Sequence, residues 1–270
     1  MITIVRKSSD LHEHVRDCVV VVRGDVYRGS SSQQEKCINA MIDNLIRPLI
    51  HANVEVSVAL CCYSNKKLNK IIKIFLKIIA ADKLYDFSYD KTLGCNQVTN
   101  FLTIFDHDDL RQRNLLILRA DIALRKPLHP STLLAAEFSF QWNCFHDTRT
   151  LEIADQIHFI GNDCYEDFRA AALDNPSGMS MLPDGTGAGT LHNLYNFCKS
   201  VGIENLGYLY HYDLSPADYV GSFCLLRGNA NKSSINDLFT YEKDPMFAST
   251  ISRVGRKLSL IFRNMVPVRR

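Results

Sequence analysis

No glycine-rich nucleotide fingerprint follows the first strand of this chain, because GxGxxG is missing there. GxxxxGK[ST] is missing throughout. Both motifs work by letting backbone amides approach phosphate, so dinucleotide dehydrogenases and P-loop ATPases are disfavoured. Charge of one sign is also lacking. The formal net charge of the 270 residues is +2, too small for bulk electrostatics to hold nucleic acid. The most apolar helical run, Ile71–Ala81, is about half a membrane span and contains Lys73 and Lys77. The segment MITIVRKSSD has no long apolar core of a signal peptide, so a soluble cytoplasmic chain without a transmembrane segment is expected. Nine cysteines are scattered without repeated CxxC pairs, which suits buried free thiols better than disulfides or a zinc site. With 46% hydrophobic and 22% charged residues, the composition is that of an ordinary globular α/β domain.

What is present is a set of short buried strands, each running into polar residues. Cys18–Val22 contains four valines and leads into Arg23-Gly24-Asp25-Val26-Tyr27-Arg28-Gly29. Such a loop either holds a nucleotide through its arginine forks or is a surface turn with an internal ion pair. A helix is expected over Gln33–Ala52, capped by Ser31 or Ser32, with Pro48 kinking or shortening its last turn. Val54–Cys62 reads as a second strand, Asn65–Ala81 as a helix with a lysine face, and Leu84–Tyr89 as a short third strand. Gln97–Arg113 reads as a further helix. Its Asp106-His107-Asp108-Asp109 has a metal-like composition, but consecutive helical residues cannot all face one ion.

Asn114–Leu128 is the segment around which the chain is organised. Its apolar run Leu115–Leu118 stops at Arg119, and an acid, Asp121, follows two residues on. A carboxylate at the carboxyl end of a buried parallel strand is where open α/β sheets place ligand chemistry, although the same residue can simply cap a turn. The first half thus reads β-α-β-α-β-α-β, a Rossmann-like and mostly parallel sheet flanked by helices.

The second half opens with a short helix, Pro130–Ala136, and a strand, Glu137–Phe140. Gln141-Trp142-Asn143 then combines the single tryptophan with two amides, a set that suits a sugar ring as well as a core. Ala154–Asn162 reads as a strand with Asp155 and Gln156 at its start, followed by a helix over Tyr165–Leu173. Asn175–Thr190 is glycine-rich and reads as a lid or a connector. His192–Ser200 reads as a helix and Leu206–Tyr212, holding His211, as a strand. The tail carries Arg253, Arg256, Lys257, Arg263, Arg269 and Arg270 against an apolar stripe, as a packed amphipathic helix would.

Four segments in this order, VVVVRGDVYRG, LLILRADIALRKPL, QWN and ADQIHFIGN, carry a resemblance. Over residues 18–165 the chain resembles small nucleotide-sugar glycosyltransferases of the GT-A type, particularly those encoded by large algal viruses. The resemblance implies a single transferase domain over 1–270, with a nucleotide-binding half at 1–128 and an acceptor half at 129–270. It implies transfer of a hexose or pentose from a UDP- or GDP-linked sugar to a hydroxyl of a glycan or glycoprotein, in the host cytoplasm if the chain is viral. Donor binding would fall to Arg23, Gly24, Asp25, Arg28, Arg119 and Asp121. Trp142, Asn143 and Gln156 would hold sugar or acceptor.

The resemblance also implies Mn²⁺ or Mg²⁺ held by Asp121 and His211, with His192 a further candidate near the diphosphate. Asp155, with Asp163 behind it, would be the base for an inverting transfer. The departure is at position 119. The family's DxD has an acid there, and this chain has an arginine. A single carboxylate with the donor diphosphate can hold a hard cation, or Arg119 with Arg23 or Arg28 can neutralise the diphosphate instead. The alternative reading is a nucleotidyltransferase, or a degenerate transferase fold acting as a scaffold.

Overall fold

The computed structural model describes residues 17–26, 31–90, 96–124, 127–130, 136–140, 143–144, 152–153, 156–180, 190–209 and 223–225. Its strands in the first half are β1 (Asp17–Gly24), β2 (Glu55–Cys62), β3 (Leu84–Asp86), β4 (Leu115–Arg119) and β5 (Ile122–Leu124). Those in the second half are β6 (Phe138–Phe140), β7 (Asn143–Cys144), β8 (Glu152–Ile153), β9 (Ile157–Ile160), β10 (Leu206–Tyr208) and β11 (Phe223–Leu225). Seven of them form a central mixed sheet in the order β10-β6-β9-β4-β1-β2-β3. Four pairings are parallel: β1 with β2, β1 with β4, β2 with β3, and β6 with β10. Strand β9 runs antiparallel to both of its neighbours, β4 and β6. The short β5 pairs antiparallel with β11, and β7 with β8.

Apolar residues on both faces of the central strands explain why helices cover both sides. Alternate residues of β1 enter different cores. Cys18, Val20 and Val22 meet α1 (Ser31–Met41), α2 (Arg47–His51) and α3 (Leu68–Phe75) through Ile38, Met41, Leu49, Ile71 and Phe75. Val19 and Val21 face α4 (Gln97–Leu102), α5 (Asn162–Asp174) and α6 (Leu194–Ser200), which contribute Phe101, Phe168, Phe197 and Cys198. This is the layering that an α/β pattern demands.

Several elements differ from the sequence expectation. The helix expected over 97–113 is six residues long and continues as two 3₁₀ turns, Thr103–Asp106 and Asp108–Leu110, separated by His107 in extended conformation. Thr103 donates its hydroxyl to the Asn100 carbonyl at 2.8 Å, a local bond that competes with helical pairing. The lysine-faced helix is confined to Leu68–Phe75. Helix α1 reaches α2 through a π-helical turn, Ile42–Ile46, just before Pro48. Pro48 has no amide to give the carbonyl of Asn44, and that carbonyl instead accepts from the Leu128 amide at 2.8 Å. Among the described residues, no helix is long and apolar enough to cross a membrane. The helix expected at 130–136 (beyond Pro130 and Ala136), residues 181–189 of the glycine-rich loop and the basic tail lie outside the described residues.

Candidate functional site

Strand order reverses at β1. The chain proceeds outward through β2 and β3, then returns to lay β4 on the other side of β1. Ligands of open α/β sheets bind beyond the carboxyl ends of the strands at such a switch point. A cleft of about 100 Å³ opens at that position, lined by Arg23, Gly24, Asp25, Tyr63, Asn96, Gln97, Asn100, Arg119 and Asp121. Five of the six donor-binding residues expected from sequence therefore meet in one place. The sixth, Arg28, lies outside the described residues.

Each side chain is placed by a strand end, a turn or a helix start. Gly24 adopts a φ of +92°, which turns the chain out of β1 and which residues with a Cβ adopt at a cost. Arg23 is nearly buried, donates from Nη1 to Asn100 Oδ1 at 3.2 Å, and lies over the Phe101 ring at 5.7 Å. Asn100 also donates to the Tyr89 hydroxyl, and Tyr89 packs edge-on against Tyr63 with ring centroids 5.2 Å apart. Burial, followed by the nearby Tyr63, pushes the Tyr89 hydroxyl above its ordinary range. Asn96 caps α4 by accepting from the Thr99 amide at 2.8 Å, which brings Gln97 and Asn100 to the cleft on the first turn.

Arg119 ends β4, and Asp121 stands in the short turn that leads to β5. The two form a bidentate pair, with Nε to Oδ1 at 2.9 Å and Nη2 to Oδ2 at 2.8 Å. The side chains are only 12% and 3% exposed. The backbone at the start of this turn is fixed from both neighbouring strands. The Arg119 amide donates to the Gln156 carbonyl at 3.0 Å, and the Ala120 amide to the Arg23 carbonyl at 2.8 Å. Gln34, fully buried near the start of α1, donates from Nε2 to the Ala120 carbonyl at 2.6 Å.

Other expected site residues fall elsewhere. Gln156 is buried and meets Arg119 through its backbone carbonyl, and its side chain is not part of the cleft lining. Asn143 lies on β7, where its backbone pairs with Ile153 of β8. Asp163 is on the first turn of α5, at the opposite end of the strands. Because β9 is antiparallel, Ile160 pairs with Leu115 at the amino end of β4, and the Asn162 amide meets Asn114 Oδ1 at 3.0 Å. His192 precedes α6 and does not line the cleft. Asp155, Trp142 and His211 lie outside the described residues. Sequence reasoning missed Tyr63, Asn96, Gln97 and Asn100 as cleft residues, and Gln34 as the support of the turn between Arg119 and Asp121. The one available signal was Asn96, which stands where a helix cap belongs.

No protein-family model matches the chain, and no curated protein matches it in sequence. Some solved structures follow a similar chain course. The galactosyltransferase LgtC, in complex with donor and acceptor sugar analogs, is 9% identical over 71% of this chain and 72% of its own, with a TM-score of 0.44. A nucleoside-diphosphate-sugar pyrophosphorylase from Vibrio cholerae is 10% identical over 83% and 99%, with a TM-score of 0.49. A mutant of the Drosophila β1,4-galactosyltransferase 7, in complex with manganese, UDP-Gal and xylobiose, is 11% identical over 85% and 81%, with a TM-score of 0.40. These likenesses concern the course of the chain alone.

Proposed function

We propose that the cleft binds the nucleoside diphosphate of a nucleotide sugar and that the chain is a glycosyltransferase acting on a hydroxyl of a glycan or glycoprotein. The observation that carries this reading is the convergence of two arginines, two aspartates, three amides and a tyrosine at the switch point beside β1. Amides offer donors and acceptors to the edge of a base, carboxylates accept from ribose hydroxyls, and guanidinium forks match phosphate oxygens. The donor is UDP- or GDP-linked. Residues 1–128 form its half of the domain and 129–270 the acceptor half.

In the transfer, the bond from the sugar's anomeric carbon to the diphosphate oxygen breaks, and the bond from the acceptor oxygen to that carbon forms. The acceptor proton passes to a carboxylate, a role assigned to Asp155. Negative charge grows on the departing diphosphate, and a preorganised cation lowers the barrier by meeting it. Trp142, Asn143 and Gln156 are assigned to the sugar and acceptor side.

The Mn²⁺ or Mg²⁺ implied by the family resemblance does not fit the described residues. Such ions take about six oxygen ligands, whereas the carboxylate of Asp121 already holds the Arg119 guanidinium on both oxygens, and that positive charge opposes a second cation there. Among the described residues, no group of three or more His, Cys, Asp or Glu is placed to hold a metal ion. No step is therefore routed through a metal.

The test is to incubate the chain with a panel of UDP- and GDP-sugars and simple glycan acceptors, and to measure nucleoside diphosphate release. Release that falls about tenfold or more in Asp121→Ala is expected, the scale of a lost charged contact. Release of pyrophosphate from a nucleoside triphosphate supplied with a sugar 1-phosphate, in a parallel incubation, would instead identify a nucleotidyltransferase. If no nucleotide sugar is turned over or raises the melting temperature, the transferase reading fails.

A further inference from the structure

We infer that this site holds its nucleoside diphosphate without a divalent cation, with Arg119 as the resident cation and Asp121 as the residue that positions it. The inference rests on the nucleotide-sugar reading above. Its ground is the geometry of one pair. A metal ligand must turn a lone pair toward the ion, and the carboxylate of Asp121 turns one oxygen to Nε and the other to Nη2 of Arg119. A divalent ion brought to the same oxygens would also meet the positive guanidinium at close range, which repels it.

The pair cannot swing apart easily. The two peptide groups between its members are tied to Arg23 and Gln34, and the one before Arg119 to Gln156. Both side chains are largely withdrawn from water, where an ion pair is screened least. A guanidinium presents five N–H donors in a plane, and the carboxylate engages one on Nε and one on Nη2. Asp121 thereby fixes the plane of the Arg119 guanidinium and keeps its positive charge aimed at the cleft.

The experiment is calorimetric titration of the full chain with UDP, GDP, ADP and CDP, in EDTA and in MnCl₂. For the nucleotide that binds, the dissociation constant is expected to agree within about threefold between the two conditions. Arg119→Ala should weaken binding in EDTA by roughly tenfold or more, and Arg119→Lys should recover part of it, since lysine restores charge without the fork. Arg119→Asp creates two acids two residues apart, and should bind only when MnCl₂ is present. Thermal unfolding of each variant separates lost binding from lost folding. Should Arg119→Asp not fold, the wild-type comparison and Arg119→Lys still decide. Wild-type binding that EDTA abolishes overturns the inference and leaves the nucleotide reading standing. Absence of binding by all four nucleotides in both conditions overturns the two together.

Discussion

Replacing Gln34 by methionine tests whether the clamp on Ala120 matters. Methionine conserves the volume and apolar stem of this fully buried residue but removes the donor that meets the Ala120 carbonyl at 2.6 Å. Losing a buried hydrogen bond and stranding its acceptor costs about 1–3 kcal/mol. For a chain of this size that corresponds to a fall in melting temperature of roughly 2–10 °C. The carbonyl lies between Arg119 and Asp121, so the loss should also loosen the pair and weaken nucleotide binding by about threefold to tenfold, or some 0.7–1.4 kcal/mol. Asn44→Ala is the comparator. It removes a 2.9 Å bond from Asn44 Nδ2 to the Leu124 carbonyl, three residues past Asp121, and should cost about 1 kcal/mol of stability with nucleotide affinity nearly unchanged. Thermal unfolding and calorimetric titration read both effects. The reasoning is refuted if Gln34→Met unfolds at the wild-type temperature, or if it is destabilised yet binds nucleotide as the wild type does.

Two glycines and the buried thiols give further tests of the fold. Gly24→Ala has room, since an added Cβ would come no closer than 3.7 Å to Asn100 Oδ1, but its φ of +92° should cost about 1–2 kcal/mol, read as a lower denaturation midpoint. Gly161→Ala would press a Cβ to 3.0 Å from the backbone carbonyl of Glu137, and should destabilise by roughly 1–3 kcal/mol; an unchanged midpoint would show that the chain entering β6 can yield. Burial pushes the thiols of Cys18, Cys61 and Cys164 up to about 12, and those of Cys62 and Cys198 well above their ordinary value. The unfolded chain then loses these protons first, from about pH 8.5, so the stability they confer is complete below that pH and is lost as pH rises toward the folded values. Urea midpoints should be level from about pH 7 to 8 and fall steeply above about pH 9, each such thiol removing on the order of 2 kcal/mol by pH 10. A level profile to about pH 11 would contradict the burial argument.

The strands at the heart of the sheet were legible because both of their faces are buried. Val19–Val22 and Leu115–Leu118 have no polar side to obscure the run. Strand direction was not legible. Ile157–Ile160 is fully apolar apart from His158 and would read the same pointing either way, yet its antiparallel course carries Asp163 to the end of the strands away from the cleft. The helix expected over 97–113 was overextended for a related reason. Val98, Phe101, Ile104 and Phe105 keep a spacing of three and four through the 3₁₀ turn, so the apolar period cannot tell the two helices apart. At the cleft, Arg23, Gly24, Asp25, Arg119 and Asp121 were found because each stands where a buried run stops. Asn100 could not be found that way, since it meets Arg23 across 77 residues of sequence.

The helical run from Ser31 to His51 holds the chain after β4 at three points. Gln34 takes the Ala120 carbonyl, the Asn44 side chain takes the Leu124 carbonyl, and the Asn44 carbonyl, which Pro48 cannot engage, takes the Leu128 amide. The first two anchors flank residue 121 and lie about 15 Å apart along the helical run. The Gln34 bond, one residue from Asp121, sets the height at which residue 121 enters the cleft, while the two Asn44 bonds hold the segment beyond it. None of these three bonds involves the side chain of residue 119. The scaffold therefore holds the backbone around Asp121 in the same place whether residue 119 is a cation or an acid, and exchanging Arg119 for aspartate alters the charge of the site without removing any of these supports.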